Sequence, residues 1–365
     1  MQFIMEKPRK ALRIVRTIRR KSEGGVYKML PSPRLLMWKG RKRAKHIFLG
    51  ILALVVIYVL FLTFDGRLTF QPYMSTTTFY VAYPGNYTII MDNTPVCRTR
   101  NPFLVLMVPV APRGVKFRHT IRRTWGSERT VLGQRVDTIF LLGLPSGEET
   151  EQQQELLFWE NEQYQDMIQS GFLDSYRNLT IKTMFMLEWL VKNCKNTSYV
   201  MKIDSDMLLH VPNLVKLLLD PITPKHNYMS GLVWWHSQVL RNPFNKFYMP
   251  RHVIAEPEYP PYPLGMAYVM SMDLPEKILS ISTEIKPIYI EDAYLGMCLQ
   301  HLGIFPTDPP DTDLYIVKPV HPLSNCSLTK VIAVTTTGID LMNIYWARIQ
   351  DSETTCNLTY YYYYY

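Results

Sequence analysis

The sequence predicts a membrane-anchored α/β protein with a mostly parallel central sheet, and three observations lead to that class. Short apolar runs typical of buried strands alternate with amphipathic segments typical of helices, as in successive βαβ units. One uncharged apolar stretch, residues 47–64, is long enough to cross a bilayer as a single helix. The 365 residues, 47% hydrophobic and 19% charged, suffice for a large core and exclude a mainly disordered chain.

The net charge of +9 comes from a short N-terminal tail. Residues 1–46 contain fifteen Lys and Arg and two acids, a balance of +13, so the rest of the chain holds 25 basic and 29 acidic side chains. That slightly acidic body argues against nucleic acid as a partner. Because the basic residues directly precede the apolar stretch, the positive-inside bias predicts a cytosolic tail and a body on the opposite side of the membrane.

A cleaved signal peptide is the competing interpretation of residues 47–64, but it requires a short basic lead and a cleavage site of small residues. Here the lead is 46 residues long, and Phe64-Asp65-Gly66 follows the apolar core. Two features beyond the stretch favour a luminal body. Five cysteines could form two disulfides and leave one thiol, and five N-x-S/T sequons offer glycosylation at Asn86, Asn178, Asn196, Asn325 and Asn357.

Element by element, the pattern predicts a stem over 65–100, a folded domain over 101–350 and a low-complexity tail over 351–365. Buried strands are predicted over 104–110, 136–143 and 199–203. Helices are predicted over 152–170 with Gly171 as the stop, over 179–192, and from Pro212. Two more begin at the capping-box spacing of Asp273 and Glu276 and at Glu291, the latter closed by Gly303.

Two acidic pairs are candidates for chemistry. Asp204 and Asp206 follow the 199–203 strand, and side chains at the carboxyl end of such a strand project into the cleft of an α/β sheet. Their oxygens suit Mn²⁺ or Mg²⁺ bound to a diphosphate, although Asp-x-Asp is also common in turns. Glu291 and Asp292 begin a helix, where acids either compensate the helix dipole or serve as a general base.

Two further segments have both a functional and a structural interpretation. Tyr259-Pro-Pro-Tyr262 precedes Gly265, which permits close backbone approach, and the tyrosines form either a sugar platform or ordinary loop packing. Arg118 and Arg122 suit either a phosphate or a solvated helix face.

In order and spacing these segments resemble the β-1,3-glycosyltransferase family, most of all its β-1,3-galactosyltransferase branch, over about residues 100–350. The resemblance rests on six motifs: Arg118-x-x-Ile121-Arg122-Arg123-Thr124-Trp125-Gly126, Phe140–Gly143, Asp174–Thr183, Lys202–Met207, Tyr259-Pro-Pro-Tyr262-x-x-Gly265 and Ile290–Leu299. It implies a GT-A-like nucleotide-sugar-binding fold in a single-pass type II Golgi membrane protein with a luminal catalytic domain. It also implies Mn²⁺-dependent, inverting transfer of galactose from UDP-galactose to a sugar hydroxyl in β-1,3 linkage on a glycoprotein or glycolipid.

The resemblance also implies individual roles. Asp206 would bind the metal directly, Asp204 would act through ribose or water, and Asp292 would be the catalytic base. The donor side would include Arg118, Arg122 and Lys182, and the acceptor platform would include Tyr259, Tyr262, Gly265 and Glu291.

The chain also departs from the family pattern. Thr335 stands where relatives often carry a metal-binding histidine, which weakens the case for Mn²⁺, and Pro263-Leu264 replace a usual Cys-Ser, with Ala267 for a glycine and Phe247 for a tryptophan. The open alternatives are a UDP-GlcNAc donor and a catalytically weak paralogue that binds nucleotide sugar. A glycosidase ranks lower because nothing fixes a carboxylate pair on opposite sides of a bond.

Overall fold

The computed structural model describes residues 45–46, 48–58, 79–93, 95–319 and 322–362, with side chains through residue 351. The chain divides into two units, Met1–Tyr73 and Met74–Tyr365. In the first unit residues 48–58 are helical, and none of the helices in the described ranges is both long and apolar enough to span a membrane. The basic tail 1–46 falls largely outside these ranges, and of the predicted span 47–64 only residues 48–58 are described, so the anchor stays a prediction.

The second unit contains eleven described strands and nine described α-helices. The strands are β1 Ile89–Met91, β2 Leu104–Pro109, β3 Thr130–Val131, β4 Gln134–Leu144, β5 Met167–Leu173, β6 Tyr199–Ile203, β7 Met207–Leu209, β8 Met229–Trp234, β9 Tyr262–Ser271, β10 Tyr315–Ile316 and β11 Ala333–Thr335. The helices are α1 Pro95–Arg100, α2 Val115–Arg123, α3 Thr150–Tyr164, α4 Leu179–Asn193, α5 Val211–Leu219, α6 Leu274–Ser282, α7 Glu291–His301, α8 Asn325–Leu328 and α9 Ile339–Tyr362.

The central sheet is mixed. Its middle strands, in the spatial order β5-β4-β2-β6, are parallel, whereas β1, β9 and β8 join the sheet in antiparallel pairs and β3 pairs with β4. The prediction of a mostly parallel sheet therefore holds for the centre and misses the antiparallel flanks. A smaller sheet has the order β10-β11-β7.

Helices cover both faces of the central sheet, which is why its strands are continuous apolar runs. Alternate residues of β2 point to opposite cores: Leu104 and Leu106 pack on one face with Ile121 of α2, whereas Val105 and Met107 pack on the other. Together these packed layers bury the backbone of the parallel strands on both sides.

The strand order reverses beside β2. From β2 the chain continues outward through β4 to β5 and then returns to place β6 on the other side of β2. Ligands of open α/β sheets bind outside the carboxyl ends of strands at such a switch point. Val110 and Asp204 follow the two strands that flank it.

Several predicted elements need correction. The helix predicted over 152–170 ends at Tyr164, because Gln165 adopts a left-handed conformation with φ 52°, and residues 167–173 form β5 instead. Asp273 does not cap α6 with its side chain; it accepts hydrogen bonds from Ser271 and Lys277 instead.

The folded unit also begins before residue 101. In the segment predicted as a stem, Phe79 is buried, β1 pairs with β5, and Cys97 forms a disulfide with Cys194. Cys326 is also disulfide-bonded, whereas Cys298 is a buried free thiol.

Candidate active site

The Asp204–Asp206 segment lies at the switch point and is held by its backbone. Asp204 donates its N–H to the Met266 carbonyl at 2.9 Å, and the Asp206 carbonyl accepts the N–H and the hydroxyl of Thr336 at 2.8 and 2.7 Å. Burial and the neighbouring Asp204 charge raise the pKa of the Asp206 carboxyl. Two carboxylates that repel each other in this way form a site that a divalent cation would stabilise.

This oxygen pair fits a hard cation such as Mn²⁺ or Mg²⁺, with most of the coordination supplied by water and a diphosphate. Within the described residues, no group of three His, Cys, Asp or Glu side chains could hold a metal. The Thr335 hydroxyl donates to the Val317 carbonyl at 3.0 Å.

Lys182 lies at the same edge of the sheet. Its ammonium donates to the Val110 carbonyl at 3.0 Å and to Asp174 Oδ2 at 2.7 Å, and the Gly143 N–H donates to that same carboxylate oxygen at 2.8 Å. Burial lowers the pKa of Lys182, while the Asp174 charge opposes the change. Lys182, which is predicted for the donor side, is thus paired with Asp174 in this structure.

The two arginines predicted for the donor side are both held in ion pairs. Arg118 is buried and donates to both oxygens of Glu160 at 2.8 and 2.6 Å and to the carbonyls of Ala111 and Pro112. Arg122 donates to Glu160 and to both oxygens of Asp166. These partners neutralise the guanidinium groups and occupy most of their N–H donors, and a donor role for either arginine stays a prediction.

Asp292, at the start of α7, is fixed by two backbone N–H groups. Gly265 donates to Asp292 Oδ2 at 3.0 Å, and Ala293 donates to Oδ1 at 2.9 Å. A Cβ atom at Gly265 would lie 2.8 Å from Glu291 Oε2 and 3.3 Å from Asp292 Oδ2, which confirms the predicted close approach. Burial raises the pKa of Asp292. The carboxylate is thus held in one orientation beside β9.

Glu291, predicted for the acceptor platform, points into the protein. It is buried, and Oε1 accepts hydrogen bonds from Thr183 at 3.0 Å and from Tyr268 at 2.7 Å. Burial raises its pKa to about 7, against the opposing charge of Lys202. Glu291 therefore supports the site from behind Asp292.

Asp292 lines a cavity of about 640 Å³ with aromatic walls. Tyr262 shares a 2.7 Å hydrogen bond with Ser237, while the buried hydroxyl of Tyr259 has no hydrogen-bond partner among the described residues. The cavity walls also include five residues that lie outside the motifs described above: Trp234, Trp235, Ser237, Gln238 and Leu240.

The Tyr-Pro-Pro-Tyr segment is held against α7. A Cβ atom at Gly296 would lie 2.9 Å from Tyr262 Cβ and 3.0 Å from the Pro261 carbonyl, so only a glycine lets the helix pack this closely. This contact fixes the two tyrosines relative to Asp292, which is on the same helix. Gly296 marks this contact in the sequence, but Pro261 and Tyr262, against which it packs, are distant along the chain.

Of the predicted glycosylation sites, Asn86 and Asn196 are exposed, and Asn178 and Asn325 are partly buried. The Asn178 amide donates to the Leu173 carbonyl at 2.8 Å, so modification there would displace this bond. Asn357 lies beyond the described side chains.

Taken together, the mixed sheet, the acidic pair at its switch point and a fixed carboxylate in an aromatic cavity are the parts of a sugar-transfer site. Residues 116–310 match the family model described as galactosyltransferase, which is more than half of the chain. The class is that of the glycosyltransferases. Within it, the chain belongs to the galactosyltransferase family.

Named relatives extend the match. The chain is 35% identical over 274 residues to β-1,3-galactosyltransferase 2 of Homo sapiens, which is 74% of this chain and 64% of that relative. It is 33% identical over 311 residues to UDP-GalNAc:β-1,3-N-acetylgalactosaminyltransferase 1 of Rattus norvegicus, 85% of this chain and 93% of that relative. The chain thus spans less than two-thirds of the length of β-1,3-galactosyltransferase 2.

Among solved structures, the apo WbbM bifunctional glycosyltransferase aligns with a TM-score of 0.38 and 10% identity, covering 67% of this chain and 50% of that one. A glycosyltransferase involved in glycosylation of the major capsid of PBCV-1 aligns with a TM-score of 0.36 and 10% identity, covering 69% of this chain and 100% of that one.

Proposed function

We propose that this protein is an inverting hexosyltransferase that moves galactose from UDP-galactose to an acceptor sugar hydroxyl in β-1,3 linkage. The observation that carries the proposal is Asp292, a carboxylate fixed by two N–H groups at the wall of an aromatic cavity. Aromatic walls suit the apolar face of a sugar ring. The galactosyltransferase family and its β-1,3-specific relatives support the same chemistry.

In the proposed reaction, Asp292 accepts the proton of the acceptor hydroxyl as its oxygen bonds to the anomeric carbon of galactose. The bond from that carbon to UDP breaks on the opposite face, so the configuration inverts. General-base assistance of this kind contributes about 10²–10⁴-fold. Asp206 and Asp204 would hold Mn²⁺, which when bound offsets the charge that builds on the departing diphosphate.

For its location, we propose a single-pass type II protein of the Golgi membrane with the catalytic unit in the lumen. The basic residues before the apolar stretch support this orientation. The Cys97–Cys194 disulfide and the exposed sequons at Asn86 and Asn196 are consistent with an oxidising, glycosylating compartment.

The second candidate donor is UDP-GalNAc, because a relative named for that donor is covered over 93% of its length. UDP-GlcNAc and a weakly active nucleotide-sugar-binding paralogue are the remaining alternatives, the last motivated by Thr335 in place of a metal-binding histidine.

A donor comparison tests these proposals. The purified full-length protein in detergent is incubated with Mn²⁺, a GlcNAc-terminated acceptor and, separately, UDP-galactose, UDP-GalNAc or UDP-GlcNAc, and the product linkage is read by NMR. We expect the fastest transfer from UDP-galactose, in β-1,3 linkage. A faster reaction with another donor would reassign the donor, and UDP binding without any transfer would refute the enzymatic function.

A further inference from the structure

Lys202, in strand β6, lies between the two halves of the site and has no role in the reaction described above. Its side chain is buried, and its ammonium donates to Asp204 Oδ1 at 2.7 Å. The same ammonium donates to the Gly265 carbonyl and lies 4.0 Å from Glu291 Oε2. The Lys202 ammonium therefore contacts Asp204 on the donor side, the neighbouring strand β9 through the Gly265 carbonyl, and Glu291, which precedes Asp292.

Gly265 continues this connection. It accepts from Lys202 with its carbonyl and donates its own N–H to Asp292 Oδ2 at 3.0 Å. The Asp204 N–H in turn donates to the next carbonyl, that of Met266, at 2.9 Å. Strands β6 and β9 are thus tied together where the donor side meets the proposed base.

We propose that Lys202 is a positioning residue: it fixes the Asp204 carboxylate and, through the backbone of Gly265, holds Asp292 at a set distance from the donor. The catalytic part of this inference rests on the proposed function, whereas the effect on Asp204 does not. A merely structural alternative is that Lys202 only neutralises the buried charge of Glu291.

The two roles are separated by combining Lys202→Met with Glu291→Gln. Met keeps the length of the side chain and removes its charge and donors. Lys202→Met alone leaves Glu291 buried without its cation, so its melting temperature should fall. The double variant K202M/E291Q removes both charges and should recover only part of the difference in melting temperature from Glu291→Gln, because the Asp204 carboxylate and the Gly265 carbonyl still lose their donor.

The deciding comparison is the double variant against Glu291→Gln, which differ only at Lys202. UDP affinity with Mn²⁺, measured by calorimetry, and kcat should each be about 10- to 100-fold lower in the double variant, as for a lost charged hydrogen bond and a displaced catalytic group. Equal affinity and equal kcat in the two variants would show that Lys202 merely neutralises Glu291, and would overturn the proposal.

A matched control is Lys277→Met, which removes another lysine paired with an aspartate, Asp273, on α6. Its UDP affinity and kcat should equal those of the wild type. If no variant and no wild-type preparation transfers sugar, yet UDP affinity falls in K202M/E291Q relative to Glu291→Gln, the proposed function fails while the positioning of Asp204 stands.

Discussion

Gly265→Ala should disable the site without removing any functional side chain. The new Cβ would lie 2.8 Å from Glu291 Oε2 and 3.3 Å from Asp292 Oδ2, and the first distance is too short to persist. Both acids are held by other hydrogen bonds, so the clash has to move the strand or the carboxylates. Overpacking of this kind costs about 1–3 kcal/mol of stability. A displacement of about 1 Å at a catalytic group costs about 100-fold in rate.

The assay is kcat for sugar transfer, with UDP affinity and melting temperature measured on the same preparations. We expect kcat to fall about 100-fold while UDP still binds, because the substitution displaces the base more than the metal ligands. The matched control is Gly171→Ala in β5, where the new Cβ would meet Thr88 Oγ1 at 3.0 Å, far from Asp292 along the sheet. A Gly265→Ala protein with the kcat of Gly171→Ala would refute the claim that close approach at Gly265 sets the position of Asp292.

Three further predictions test other parts of the site. Asp206→Ala should abolish the Mn²⁺ dependence of UDP binding, and an unchanged Mn²⁺ titration would count against its role as a ligand. Arg118→Met should lower stability by about 1.5–3 kcal/mol, because Glu160 loses the charged hydrogen bonds of Arg118 but keeps Arg122, with UDP affinity unaffected; a loss of affinity without a loss of stability would support a donor role for Arg118. For Glu291, whose pKa rises from 4.5 to about 7, the stabilising contribution is present below pH 4.5 and is lost as the pH rises through about 7. Glu291→Gln should therefore flatten the fall in melting temperature between about pH 4.5 and pH 7, and an unaltered slope would contradict this.

The parts of the fold that the sequence predicts are those with a strong local pattern. The buried run 104–110 and the amphipathic segment 179–192 appear as β2 and α4 with nearly the predicted bounds. By contrast, the pattern predicts a helix where β5 begins, since the break at Gln165 depends on a left-handed conformation that its residue type does not demand. The antiparallel strands β8 and β9 contain no alternation clear enough to separate them from loops.

For the site, local sequence located the acids but not their surroundings. Asp292 and Gly265 were both singled out, yet their hydrogen bond joins residues 27 positions apart and becomes visible only in the fold. Arg118 carries a charge that suits phosphate, but Glu160, which neutralises it, lies 42 positions away in an unremarkable helix. No local pattern marks Lys202 as a site residue, because its three partners, Asp204, Gly265 and Glu291, lie on different parts of the fold.

The most direct test of the central claim is Asp292→Asn, measured for both transfer and UDP binding. The substitution keeps the size of the side chain and removes its ability to accept a proton. We expect a fall in kcat of about 10²–10⁴-fold with the UDP dissociation constant unchanged. Wild-type kcat in Asp292→Asn, or an equal loss of transfer and UDP binding, would contradict the assignment of Asp292 as the base.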